Sequence, residues 1–107
     1  MYQLLIVDDE PIVRDGIRQL LPCEEFGLEI CAEGTDGRDG LRKVLEFQPQ
    51  LVLVDIKMPG MSGMDLIREA REQGFKGEFI ILTGYSEFEY AKTAISLGVK
   101  GYLLKPI

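Results

Sequence analysis

Four apolar runs in this chain each stop at a residue that phosphate chemistry can use. Leu4, Leu5, Ile6 and Val7 lead into Asp8 and Asp9. Leu51 to Val54 leads into Asp55, and Phe79 to Leu82 into Thr83. Tyr102, Leu103 and Leu104 lead into Lys105 and Pro106. The stretches between the runs have helical spacing, and strand-like runs alternating with helix-like ones imply an α/β domain with a parallel sheet. The carboxyl ends of such strands form the ligand-binding edge. Three carboxylates, a hydroxyl and an ammonium are thus expected at one edge, as a cation site beside a phosphate-accepting carboxylate.

The connecting segments support this alternation. Val13, Ile17, Leu20 and Leu21 follow helical spacing, with Arg14, Asp15, Arg18 and Gln19 on the opposite face. Pro11 suits a first helical turn, and Pro22 stops the helix. Leu28 to Ala32 is a weaker second strand. Gly34 to Gly37 is a turn in which Thr35 or Asp36 is placed to cap the next helix, whose inner stripe is Leu41, Val44 and Leu45. Met58 to Gly63 reads as a loop. Met64, Ile67 and Ala70 mark a third helix, and Phe88, Ala91, Ala94 and Ile95 a fourth, closed by Gly98. Five strands and four helices joined by right-handed crossovers give a doubly wound parallel sheet, for which the flavodoxin-like order 2-1-3-4-5 is expected.

The 107 residues suit one domain spanning 1–107, with 46% apolar and 28% charged residues. The net charge is −6, with scattered Lys and Arg, so no direct nucleic-acid surface is expected. The absence of His excludes a histidine base or ligand within the chain. No apolar run approaches the ~20 residues that span a bilayer, and a strand begins too early for a signal peptide. Cys23 and Cys31 form no CxxC pair. They read as two reduced thiols of a cytoplasmic protein.

Each member of the constellation also has an ordinary reading. Asp8 and Asp9 can cap a helix, Asp55 a loop, Thr83 suits a strand, and Lys105 suits a solvated surface. Together they are specific. Two adjacent carboxylates repel unless a cation neutralises them, and Mg²⁺ prefers oxygen ligands. Asp55 can accept a phosphoryl group as an acyl phosphate.

The segments LLIVDDEP (4–11), LVLVDIKMPGMSGMDLI (51–67), FIILTGYSEFEYA (79–91) and GVKGYLLKPI (98–107) resemble the receiver domain of bacterial two-component response regulators, in order and at family spacing. The resemblance implies a flavodoxin-like fold and Mg²⁺-dependent (or Mn²⁺-dependent) phosphorylation by a sensor histidine kinase. It implies that Asp55 is the phosphoacceptor, with the metal held by Asp8, Asp9, Asp55 and the backbone carbonyl of Lys57. It makes Thr83 the switch hydroxyl, Lys105 the phosphate-binding lysine and Tyr102 the switch aromatic, and it puts a Lys-Pro peptide that is often cis at Pro106. The segment 85–90 is similar to receivers that precede AraC-type DNA-binding domains, so the implied role is a signalling switch in transcriptional regulation rather than an enzyme. Tyr85 and Lys57, each two residues beyond a site residue, are expected to border the phosphoryl group.

Family receivers continue into a fifth helix. Its absence by Ile107 leads to the expectation of an exposed apolar face at strand five, with self-association as a possible homodimer. Competing readings are a pseudo-receiver used only for protein contacts, an Asp-nucleophile phosphatase of the haloacid-dehalogenase type, and a flavodoxin. The phosphatase needs an Asp two residues after Asp8, where Glu10 stands. The flavodoxin needs a Ser/Thr-rich phosphate loop where Asp8-Asp9-Glu10-Pro11 stands. The complete set of five site residues argues against the pseudo-receiver.

Overall fold

A computed structural model of the chain describes residues 1–84 and 98–104. Along the chain these form β1 (Tyr2–Val7), α1 (Pro11–Leu20), β2 (Leu28–Gly34), α2 (Gly37–Phe47), β3 (Leu51–Asp55), α3 (Gly63–Glu72), β4 (Glu78–Thr83) and β5 (Gly101–Leu104). The expected fourth helix, Tyr85, Lys105 and Pro106 lie outside the described residues.

The five strands make one parallel sheet in the order β2-β1-β3-β4-β5, as the sequence implies. The apolar runs are nearly continuous because both sheet faces are covered. Leu5, Val7, Val52, Val54, Phe79 and Ile81 point to one face, under Val44 of α2 and Met64, Leu66, Ile67 and Ala70 of α3. Leu4, Ile6, Leu53 and Leu82 point to the other, with Ile17 of α1. The twofold alternation along each strand thus assigns neighbouring residues to different cores. β2, an edge strand, is mostly half-buried, which explains its weaker apolar signal.

The helix starts follow local chemistry. Pro11 occupies the first turn of α1, where its missing N–H costs nothing. Asp36, rather than Thr35, caps α2 by accepting from the Asp39 N–H at 2.8 Å. Ser62 caps α3 by accepting from the Asp65 N–H at 3.1 Å. Two placements on α1 differ from the periodicity. Leu20, the last residue of α1, is 64% exposed. Arg14 is not on the outer face, since its side chain is only 13% exposed. Among the described residues no helix is long and apolar enough to cross a membrane.

Asp39 ties the start of α2 together. Its carboxylate accepts from the Thr35 N–H at 3.0 Å and pairs with Lys43 at 3.1 Å and with Arg42. Burial alone would raise its pKa, but the Thr35, Lys43 and Arg42 contacts outweigh that and bring it from 3.8 to about 2. A carboxyl depressed in the folded state stabilises the fold above its unfolded pKa and loses that contribution as pH falls through the folded value. The advantage of the wild type over Asp39→Asn in urea midpoint is therefore expected to be full above about pH 4 and to shrink toward about pH 2. A difference that stays constant over that range contradicts this account.

Candidate functional site

The strand register brings the candidate residues to one edge. Val7 pairs with Val54 and Asp55 with Leu82, while Thr83 pairs with Leu104. Asp8 follows β1 directly, Asp55 ends β3 and Thr83 ends β4. β1 and β3 are adjacent, so their terminal carboxylates converge. Ligand oxygens of Asp8, Asp9, Glu10 and Asp55 all lie within 4.8 Å of one another. Asp8 is fully buried, Asp55 is 6% exposed, and Asp9 and Glu10 are progressively more open to solvent.

Local hydrogen bonds shape the loop after β1. The Asp8 N–H donates to the Gly34 carbonyl at 3.2 Å, which extends strand pairing by one residue. The Glu10 N–H donates to Asp8 Oδ1 at 2.9 Å, closing an Asx turn. That turn lets two adjacent aspartates reach the same crevice although an extended strand would send them to opposite faces. Glu10 occupies the N-cap of α1 in extended conformation and makes no side-chain capping bond. Sequence reasoning did not place Glu10 in the cluster. Its signal was only adjacency to two aspartates, shared with any acidic helix start.

Gathering several carboxylates at one partly buried spot is costly without a compensating cation. An all-oxygen donor set suits a hard divalent ion, so the acidic pocket is compatible with one. Thr83 is fully buried, and its hydroxyl donates to the Gly84 carbonyl at 3.1 Å. Lys57 is exposed just beyond the buried Ile56. On β5, Tyr102 and Leu103 are 40% and 43% exposed. Lys105 lies outside the described residues.

The sequence pattern of the response regulator receiver domain matches residues 4–107. The chain belongs to the response regulator receiver domain family. This receiver is 42% identical over 106 residues to the transcriptional regulatory protein YesN of Bacillus subtilis, covering 99% of the chain but 29% of that protein. It is 36% identical over 107 residues to the transcriptional regulatory protein HptR of Staphylococcus aureus, covering 100% of the chain and 42% of HptR. The receiver thus spans less than half the length of these relatives. Among solved structures it is similar to the REC domain of AraT, a response regulator from Geobacillus stearothermophilus. That likeness has a TM-score of 0.92 and 44% identity, over 98% of this chain and 81% of the other. It is also similar to a DNA-binding response regulator of the LuxR family from Staphylococcus aureus, with a TM-score of 0.86 and 30% identity over 100% of this chain and 88% of the other.

Proposed function

We propose that this receiver, spanning residues 1–107, is a phosphorylation-dependent switch in which Asp55 accepts a phosphoryl group from the phosphohistidine of a sensor kinase. The observation that carries this reading is the convergence of the Asp8, Asp9 and Asp55 carboxylates at one edge of the sheet, with Glu10 beside them. Asp8, Asp9, Asp55 and the Lys57 carbonyl would hold Mg²⁺ or Mn²⁺. Such a cation, when bound, screens the repulsion between Asp55 and the incoming phosphoryl oxygens.

An Asp55 carboxylate oxygen attacks phosphorus as the bond to the kinase imidazole nitrogen breaks, leaving an acyl phosphate on Asp55 and a free histidine on the kinase. The new group adds roughly −1.5 to −2 charge. Thr83 and Lys105 answer that charge from β4 and from the residue after β5. To do so the Thr83 hydroxyl must leave the Gly84 carbonyl it now contacts. Its movement opens space into which Tyr102, now 40% exposed, turns. The resulting change at β4 and β5 is a population shift driven by a local charge.

The family role and the transcriptional relatives support a cytoplasmic signalling protein, not a turnover enzyme, acting with a DNA-binding output domain. The exposed Tyr102 and Leu103 of β5 support a surface through which the chain can pair as a homodimer. The test is intact mass after incubation with a small acyl phosphate donor. We expect one phosphate adduct per chain that requires Mg²⁺ and is lost in Asp55→Asn. A folded wild type that stays unmodified, or an adduct that persists in Asp55→Asn, overturns the reading.

A further inference from the structure

Arg14 has an inward position that helical periodicity does not foresee. Its Nη1 donates to the backbone carbonyl of Asp8 at 2.6 Å, and its Nε donates to Glu33 Oε1 at 3.1 Å. Glu33 lies near the end of β2, and its other carboxylate oxygen pairs with Arg18 Nε at 2.9 Å. Arg18 also pairs with Asp15. The Glu33 backbone carbonyl accepts from Lys43 Nζ of α2 at 2.7 Å. One guanidinium therefore joins the loop after β1 to a strand end that is itself tied to α1 and α2.

The atom held is informative. The Asp8 carbonyl belongs to the planar peptide between Asp8 and Asp9. Fixing its oxygen fixes the plane, and with it the direction in which the Asp9 backbone leaves. The Asx turn from the Glu10 N–H fixes the next step. Both aspartates of the pair are thus oriented from the backbone, by a fork that can engage two acceptors at once.

We propose that Arg14 is a positioning residue for the divalent cation. It holds the Asp8–Asp9 peptide so that the carboxylates of Asp8 and Asp9 converge with Asp55 before the ion arrives. The inference rests on the metal-site reading above. A bare guanidinium near a cation site would weaken binding by repulsion, but Arg14 is paired. The two cations Arg14 and Arg18 are matched by the two carboxylates Asp15 and Glu33. The residual field of this neutral group falls off steeply, and the geometric effect dominates.

The experiment is calorimetric titration of the chain with Mg²⁺ alone, for wild type, Arg14→Met, Arg14→Lys and Glu33→Gln. Partners that orient metal ligands typically change affinity 10–100-fold when removed. We expect Kd to rise about tenfold in Arg14→Met, near the lower end of that range. Arg14→Lys is expected not to restore it, because a single ammonium lacks the fork. Glu33→Gln is expected to weaken binding with a part that added salt removes, since it uncovers the arginine charge. At saturating Mg²⁺ the phosphorylation rate of Arg14→Met should return to the wild-type value, which separates positioning from general damage. A Kd within twofold of wild type in Arg14→Met, or a tighter one, overturns the proposal even if the melting temperature falls. Should Arg14→Met fail to fold, Arg14→Lys decides by the same criterion. No Mg²⁺ binding by the folded wild type instead defeats the metal-site reading on which the proposal rests.

Discussion

Gly63→Ala is expected to damage the fold and the site together. A Cβ at Gly63 would lie 2.2 Å from the Asp55 carbonyl oxygen and 3.1 Å from the Ile56 Cα. Both are backbone atoms, so no side chain can swing aside. The Gly63 N–H also donates to the Ile56 carbonyl at 2.8 Å, pinning the start of α3 against the end of β3. An alanine must push α3 away from the strand that carries Asp55. Overpacking usually costs ~1–3 kcal/mol, and a backbone clash belongs at the top of that range. For a domain of this size each kcal/mol lowers the melting temperature by about 4–8 °C, so a fall of roughly 12–24 °C is expected from about 3 kcal/mol. Mg²⁺ affinity should fall as well, because the Asp55 backbone is displaced. Gly16→Ala is the control. Nothing lies within 4 Å of a Cβ there, and alanine in mid-helix gains about 0.5–1 kcal/mol. A Gly63→Ala protein as stable as wild type contradicts the packing described at this junction.

Phe79→Ala is expected to destabilise by about 3–5 kcal/mol. Phe79 is fully buried near the start of β4. Its ring meets Phe75 edge to face with centroids 5.4 Å apart. The Arg71 guanidinium lies 5.0 Å from its centroid and also donates to the carbonyls of Phe75 and Gly77. Truncation removes the aromatic pair and leaves a cavity that a strand fixed in a parallel sheet cannot close. Against a typical total of ~5–15 kcal/mol, this leaves a marginal protein. Phe79 is four residues from Thr83, roughly 13 Å along the strand, so Mg²⁺ affinity of the folded fraction should be unchanged. Saturating Mg²⁺ should then recover part of the lost stability by mass action. Denaturant unfolding with and without Mg²⁺ measures both effects. A loss below about 1 kcal/mol would contradict the role given to this ring.

The contrast between these two variants shows what a sequence of this kind reveals. The strands β1, β3 and β4 are legible because parallel strands buried on two faces read as unbroken apolar runs, and β5 is legible from its short apolar run although Tyr102 and Leu103 on this edge strand are exposed. Asp8, Asp9, Asp55 and Thr83 are legible because each ends such a run, and strand polarity brings run ends together. Pro11 marks the start of α1 by its fixed φ and missing N–H. Contacts between elements leave no such trace. Arg14 has the spacing of an outward residue, and only the nearness of the Asp8 carbonyl and Glu33 draws it inward. Glu10 joins the carboxylates because the Asx turn at Asp8 redirects the chain. Gly37 reads as turn punctuation, yet a Cβ there would lie 2.1 Å from the Met61 carbonyl oxygen, so it is the contact point of α2 with the loop before α3. Leu20 has core spacing but is exposed at the last position of α1.

The identity of the phosphoacceptor is directly measurable. An aspartyl phosphate is reduced by borohydride to homoserine, which peptide mass mapping locates. After treatment with an acyl phosphate donor and Mg²⁺, homoserine is expected at position 55 and nowhere else, and without Mg²⁺ at no position. Homoserine at position 8 or 9, or a folded chain in which position 55 stays aspartate under these conditions, would contradict the account.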